Sequence, residues 1–93
     1  MIGEYEIMRA AIDEYGTDMQ IIVACEEMSE LQKELCKALR DKPRFSALAE
    51  EMADVEIMLD QLKMIFANGG DVAVFRRAKL ERLEQRLKKE EGV

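Results

Sequence analysis

Acidic side chains recur at helical spacing in two segments of the chain. The segment CEEMSE contains Glu26, Glu27 and Glu30, and the later segment EEMAD contains Glu51 and Asp54. Residues three or four positions apart share one face of a helix, so each segment can place two carboxylates side by side. Hard divalent cations such as Mg²⁺ and Mn²⁺ prefer oxygen ligands. Two such faces on neighbouring helices therefore favour a site for one of these ions.

The second acidic pair occupies an unusual place in its helical pattern. At about 100° per residue, Glu51 and Asp54 fall inside the apolar arc between Ala47 and Met58, where a core helix ordinarily carries Leu or Val. An unpaired buried carboxylate is costly, so such a group is protonated, paired with a cation or bound to a metal. The register leaves open a metal site and an ion pair inside a bundle. The cations available for the ion pair are Arg76, Lys79 and Arg86, near the apolar side of the last helix.

The first acidic segment is less constrained by its register. The same angular spacing places Glu27 at the edge of the apolar stripe, Glu30 about 60° further round and Glu26 largely away from it. Glu27 can therefore line a cleft. Because the chain has 20 acidic residues, chance spacing on a solvated face is the alternative for all three.

Two helices are predicted in the first half of the chain. Apolar residues repeat at helical spacing over 5–15, and Gly16 is a typical helix stop. Thr17 and Gln20 have the spacing of a capping box, so the second helix is expected to begin there and to continue to about Arg40. The apolar stripe of this second helix is predicted to be Ile21, Cys25, Met28, Leu31, Leu35 and Leu39.

Two further helices are predicted in the second half. Pro43 cannot lie inside a helix, so the third helix is expected to begin between Pro43 and Ala47 and to end near Ala67. The sequence Asn-Gly-Gly at 68–70 favours a left-handed turn, and Asp71 is expected to cap the fourth helix. The apolar side of the fourth helix contains Val72, Phe75, Leu80, Leu83 and Leu87. Without strand alternation or internal repeats, the pattern predicts an all-α antiparallel bundle of about four helices.

Length and composition bound the class of protein. Residues 1–93 form one domain, in which 48% of residues are hydrophobic and 37% are charged, as is typical of a globular helical chain. A chain of this length buries only a modest share of its surface in its own core, so homo-oligomerisation is expected. The net charge of -6 argues against a nucleic-acid partner. Because the chain has no long apolar run and an acidic N-terminus, we expect a cytoplasmic protein without a membrane partner.

Histidine and cysteine usage removes several kinds of site. The chain has no His, which excludes Ser-His and Cys-His nucleophiles and imidazole zinc sites, so acid–base chemistry must come from carboxylates. Cys25 and Cys36 are eleven residues apart on one predicted helix, about 16 Å, which is too far for an intrachain disulfide. Both are expected to be reduced, buried thiols.

The acidic segments also resemble a known family. EEMSE followed by EMAD is similar to the E-E-x-x-E…E-x-x-D signature of the MazG-like all-α nucleoside triphosphate pyrophosphohydrolases, and the likeness extends to YGTDMQ and KLERLEQRL. The resemblance implies Mg²⁺-dependent hydrolysis of a ribo- or deoxyribonucleoside triphosphate between the α and β phosphates, which gives a monophosphate and pyrophosphate. It also implies that the metal ligands are Glu27, Glu30, Glu51 and Asp54.

The same resemblance implies roles for other residues. Glu26 matches the first Glu of the motif, and either Glu30 or Glu26 is expected to take a proton during hydrolysis. Lys79 and Arg82 are expected to contact the phosphates, from a neighbouring subunit if the chain builds its site at a subunit interface as the family does. A homodimer or homotetramer is therefore expected. The alternative is a non-catalytic oligomerisation or regulatory module whose acids are salt-bridged inside the bundle.

Overall fold

The computed structural model describes residues 2–40 and 45–91, and these residues form four α-helices. The helices are α1 (Glu4–Tyr15), α2 (Thr17–Arg40), α3 (Phe45–Phe66) and α4 (Gly69–Glu90). No β-strand occurs in these two ranges, so the predicted all-α fold with four helices is confirmed. Among the same residues, no helix is both long enough and apolar enough to cross a membrane. The predicted break at Pro43 lies outside the described residues.

The α2–α3 pair is the packed centre of the molecule. The two helices run antiparallel, because Gln20 near the start of α2 contacts Gln61 near the end of α3, while Glu27 lies beside Asp54. Helix α1 packs against both of them at one end. Among the described residues, the buried apolar ones are Ile12, Ala24 and Met58. The core is therefore small and lies where these three helices meet.

Gly16 turns the chain between α1 and α2. Its φ of 95° is one that residues with a Cβ rarely adopt, and its N–H donates to the carbonyl oxygen of Ile12 at 2.9 Å. The predicted stop at Gly16 is confirmed. The predicted capping box is wrong, because Thr17 is already the first residue of α2 and the side chain of Gln20 donates to Gln61 instead.

The connection between α3 and α4 differs from the prediction. Ala67, with a φ of 52°, is the left-handed residue that ends α3, while Gly69 and Gly70 are the first helical residues of α4. Asp71 consequently lies in the first turn of α4, and the prediction that it caps the helix is wrong. Its carboxylate still stabilises α4, because a negative charge near a helix N-terminus interacts favourably with the helix dipole.

The face that α2 turns toward α3 also differs from the predicted apolar stripe. Cys25, Leu35 and Leu39 were expected in the core and are exposed. The expectation of buried thiols is wrong for both cysteines, since Cys36 is exposed as well. The face toward α3 includes Gln20, a polar residue that the apolar pattern left out. Its hydrogen bond across to α3 sets the register of the pair.

Helix α4 adds no buried residue to the core. It packs only against α3 among the described helices. Its apolar side faces solvent, with Phe75 65% exposed and Leu80 52% exposed. The Cα radius of gyration is 17.0 Å, whereas about 12 Å is typical of a compact domain of this length. The protomer therefore leaves a long apolar surface without an intramolecular partner.

Candidate metal centre

The antiparallel α2–α3 pair determines which acids meet. Gln20 Nε2 donates to Gln61 Oε1 at 2.8 Å, and both side chains are buried. Glu27 follows Gln20 by seven residues, and Asp54 precedes Gln61 by seven, so each acid lies two helical turns from the hydrogen bond on the same face. Glu51 lies one helical turn before Asp54 on α3, and so further from the hydrogen bond. The local helical repeat and one polar contact thus bring acids from two helices together.

The acidic cluster consists of Glu27, Glu51 and Asp54. Each residue offers a carboxylate oxygen, and these three oxygens lie within 4.8 Å of one another. Glu27 and Glu51 are partly buried, whereas Asp54 is exposed. Asp54 was expected at a core position, but it lies at the solvent-facing rim of the helix pair. The cluster is therefore backed by protein on one side and open to solvent on the other.

One oxygen of the acidic cluster has no hydrogen-bond partner among the described residues. Oε2 of Glu51 is buried and accepts no hydrogen bond from residues 2–40 or 45–91. Nearly all buried polar atoms in folded proteins have a partner, and a carboxylate oxygen without one is costly. In the parts of the chain that the structure describes, no Lys or Arg forms an ion pair with Glu51. This oxygen can accept a hydrogen bond from a bound molecule or coordinate a bound cation.

The cluster also changes the protonation of Glu27. Partial burial raises the pKa of the Glu27 carboxyl above its ordinary value, and the nearby charges of Asp54 and then Glu51 raise it further. When Glu27 is protonated, it can donate a hydrogen bond to either of these carboxylates, which raises its pKa in the same direction. Like charges that share a small space favour a bound proton on one of them. A bound cation would remove that repulsion by replacing the proton.

The acidic cluster fits a hard divalent cation. Its donors are all carboxylate oxygens, which suit Mg²⁺ and Mn²⁺, and the open side leaves room for water to complete the coordination. The three carboxylate oxygens lie within 4.8 Å of one another, which is close enough for them to face a single ion between them. The buried oxygen of Glu51 gives the fit an independent basis, because it is an acceptor that the described residues leave without a donor.

The structure does not bring Glu26 or Glu30 into the acidic cluster. Both are exposed, and Glu30 accepts a hydrogen bond from Lys33 Nζ at 3.3 Å. Three residues along a helix is a step of about 300°, so Glu30 points to the side of Glu27 rather than across to α3. Glu30, predicted as a metal ligand and base, and Glu26, predicted as a base, therefore lie beside the acidic cluster.

Lys79 and Arg82 are exposed on α4 and do not contact the acidic cluster. No ion pair within residues 2–40 and 45–91 joins them, or Arg76 and Arg86, to an acid of α3. Lys79 borders an open apolar groove with Phe75. The salt-bridged arrangement considered from the sequence is therefore absent from the described part of the protomer.

The buried hydrogen bond between Gln20 and Gln61 was not predicted. Apolar periodicity excludes Gln from a core stripe, so neither residue was placed there. A signal does exist in the spacing, because Gln20 lies one heptad before Glu27 and Gln61 one heptad after Asp54. Polar residues at matching heptad positions of two helices indicate a shared face when the helices pair in antiparallel.

The fold and the cluster define an all-α, four-helix protein with a carboxylate site between its two central helices. Comparison with known proteins finds no family model that matches the chain, and no curated protein or solved structure with significant similarity to it.

Proposed function

We propose that this protein is a Mg²⁺-dependent nucleoside triphosphate pyrophosphohydrolase. The reaction adds water to a ribo- or deoxyribonucleoside triphosphate between the α and β phosphates and releases a nucleoside monophosphate and pyrophosphate. The observation that carries the proposal is the acidic cluster with its unpaired buried oxygen on Glu51. The resemblance of its sequence segments to MazG-like enzymes supplies the reaction type.

In this proposal, Glu27, Glu51 and Asp54 hold Mg²⁺, with Mn²⁺ as an alternative ion. The bound ion would neutralise charge on the phosphate oxygens and lower the pKa of water. A cation at the cluster competes with protons for the Glu27 carboxylate, since partial burial and the charges of its neighbours raise its pKa. The open side of the cluster at Asp54 is where the triphosphate approaches. The buried side at Glu51 fixes the position of the ligands.

Glu30 and Glu26 are proposed to serve the reaction from beside the cluster. Glu30 lies one helical turn after Glu27, so its carboxylate can accept a proton from the attacking water or extend the ligand set. Glu26 is the other candidate for the proton acceptor. Both are exposed, and exposure lets a carboxylate return its proton to solvent after each turnover. Separate Glu30→Gln and Glu26→Gln variants distinguish their contributions.

Lys79 and Arg82 are proposed to contact substrate phosphate from a partner subunit of a homodimer or homotetramer. Helix α4 carries seven of the 14 basic residues of the chain but only four of its 20 acidic residues. Since α4 also exposes its apolar side, a second protomer can cover this side and receive its positive charges. Cationic side chains stabilise a polyphosphate that the acids alone would repel. A cytoplasmic location is part of this proposal, because nucleoside triphosphates are present there.

The test of this function is pyrophosphate release from a panel of ribo- and deoxyribonucleoside triphosphates with Mg²⁺ or Mn²⁺. At least one nucleotide should be hydrolysed, and Glu51→Gln should lower the rate at least about a hundredfold, because removal of a ligand exceeds the 10–100-fold effect typical of outer-shell partners. The matched control is Glu56→Gln, an exposed acid of α3 outside the cluster, which should retain activity. If no nucleotide is hydrolysed, or if Glu51→Gln is fully active, the proposal is wrong.

A non-catalytic oligomerisation module is the second candidate function. The exposed apolar side of α4 favours it, since such a surface is suited to protein association. This alternative predicts that Mg²⁺ does not stabilise the fold. The enzyme proposal predicts that the melting temperature rises with Mg²⁺ in wild type and in Glu56→Gln but not in Asp54→Asn.

A further inference from the structure

The side of α2 that faces away from α3 carries an uncharged stripe of six exposed residues. Their positions alternate in steps of three and four, which is the spacing of a coiled-coil seam. The stripe consists of Ile22, Cys25, Ser29, Gln32, Cys36 and Leu39. Helix α2 is otherwise rich in charged residues, so an exposed row without charge along 18 residues, about 26 Å, is unexpected on a solvated face.

The stripe is complementary to itself when read in the opposite direction. Its two ends are aliphatic, with Ile22 50% exposed and Leu39 90% exposed. Its next positions inward are both cysteine, and its centre holds the small polar pair Ser29 and Gln32. In an antiparallel pair of α2 helices related by a twofold axis, each residue of the stripe meets a chemically matching residue of the partner. A parallel pair would align each residue with its own copy instead.

The residues that border the stripe favour the same arrangement. On one edge, Glu26 of one helix would lie near Lys33 of the other, which joins opposite charges twice across the twofold axis. On the other edge, Met28 would lie near Leu35 of the other helix, and Leu35 is 47% exposed in the protomer. One edge is thus charged and complementary, and the other is apolar. A single antiparallel register produces both sets of contacts. It pairs the six stripe residues with chemically similar partners and also brings Glu26 near Lys33 and Met28 near Leu35.

We propose that the uncharged stripe of α2 is a homodimer interface, in which the α2 helices of two copies of this chain pack antiparallel with Cys25 of each copy beside Cys36 of the other. The interface is isologous, so the stripe of each copy is used once, and a second pairing through α4 would join two such dimers into a tetramer. It lies on the side of α2 opposite the acidic cluster. No residue of the stripe belongs to the acidic cluster, so crosslinking through its cysteines can be measured without reference to metal binding or hydrolysis.

The two cysteines make the proposed geometry directly testable. Within one chain they are eleven residues apart on a straight helix, about 16 Å, so any disulfide between them joins two chains. The oxidant is diamide, which takes up the two hydrogens lost when two thiols form one disulfide. The reaction is run at a concentration at which sedimentation equilibrium shows the untreated protein to be a dimer, and products are identified by non-reducing electrophoresis and peptide mass spectrometry.

The expected product is a covalent dimer with Cys25 linked to Cys36 of the partner. Cys25→Ser and Cys36→Ser should each lose most of the crosslinked dimer when oxidised alone, whereas an equimolar mixture of the two variants should recover it. Crosslinks between two copies of the same cysteine, or equal yields from the single variants, would establish a parallel or a nonspecific contact and overturn the proposal. A protein that stays monomeric up to its solubility limit, or a dimer that forms no disulfide, also overturns it.

A charge in the stripe provides a second readout that leaves both cysteines in place. Gln32→Glu puts one carboxylate from each subunit into the uncharged seam, and the yield of crosslinked dimer should fall at least about tenfold because like charges there oppose association. Gln85→Glu, the same change at an exposed position of α4, should leave the yield unchanged. An equal yield from both variants would contradict the interface.

Discussion

The α2–α3 pair and helix α4 differ in how much of their surface is covered by protein, since α2 and α3 each bury residues against each other and α4 buries none. Between α2 and α3, the hydrogen bond from Gln20 to Gln61 is buried and the acidic cluster is held two turns away. On α4 no residue is buried, and Leu83 and Leu87 remain 43% and 49% exposed. The first region therefore has the fixed geometry that a metal site requires. The second region is suited to contact with another molecule.

This difference predicts where a deletion of side-chain volume matters most. Met58→Ala removes a side chain that is only 5% exposed, and the free energy of unfolding should fall by about 2–3 kcal/mol, as for other buried Met deletions. Met52→Ala on the same helix is the matched control, because Met52 is 51% exposed, and its effect should stay within about 0.5 kcal/mol. Urea denaturation of dilute protein measures both. Equal losses would mean that the α2–α3 face is assigned incorrectly.

The buried glutamine pair should have the next largest effect. Gln61→Ala leaves the amide of Gln20 buried without its partner, so unfolding should become easier by about 1–3 kcal/mol. Replacing both glutamines by leucine removes the unpaired groups as well as the hydrogen bond, and should cost less than the single change. A double-mutant cycle by urea denaturation gives the coupling. Additive single changes would show that the two side chains do not interact.

On α4, the same kind of deletion should alter association rather than folding. Leu83→Ala should leave the free energy of unfolding of dilute protein within about 0.5 kcal/mol of wild type, because Leu83 has little protein around it in the protomer. If a partner covers this side, the dissociation constant of the oligomer should rise, which sedimentation equilibrium measures. A large loss of stability in the dilute protein would contradict the comparison of the two regions.

The smallest expected effect is a pH dependence that originates in the acidic cluster. The pKa of Glu27 is raised in the folded protein from its ordinary value of 4.5, so the folded state holds this proton more tightly than the unfolded state. Stability from this group is therefore present at low pH and declines as pH rises from about 4.5 through the raised pKa. In metal-free buffer, Glu27→Gln should flatten this part of the stability profile. An unchanged profile would show that Glu27 does not sense its neighbours.

Much of the local structure follows from the sequence, because helix periodicity and glycine act over a few residues. The four helices and the stop at Gly16 are of this kind. The approach of Glu27 to Glu51 is not, because it joins two helices and depends on how α2 and α3 pair. Predicted helix ends that depended on a single capping side chain were less reliable. Asp71 reads as a cap, yet α4 begins at Gly69 because Ala67 takes the left-handed conformation that ends α3.

The placement of α2 in the fold could not be derived from apolar spacing alone. Two stripes of this helix have coiled-coil spacing, one through Gln20 and Glu27 and the other through Cys25 and Cys36. The apolar pattern favoured residues near the second stripe, whereas the structure packs the first stripe against α3. The choice depends on which face α3 can complement with Gln61 and Met58. That is a property of two helices together, and neither helix shows it by itself.

Binding of Mn²⁺ tests the central claim most directly, since it requires no knowledge of the substrate. Isothermal titration calorimetry should show saturable binding to wild type and to Glu56→Gln, and loss of that binding in Glu51→Gln, because only the last change removes a ligand of the acidic cluster. Equal Mn²⁺ binding by all three proteins, or no binding by wild type at neutral pH, would contradict a metal site between α2 and α3.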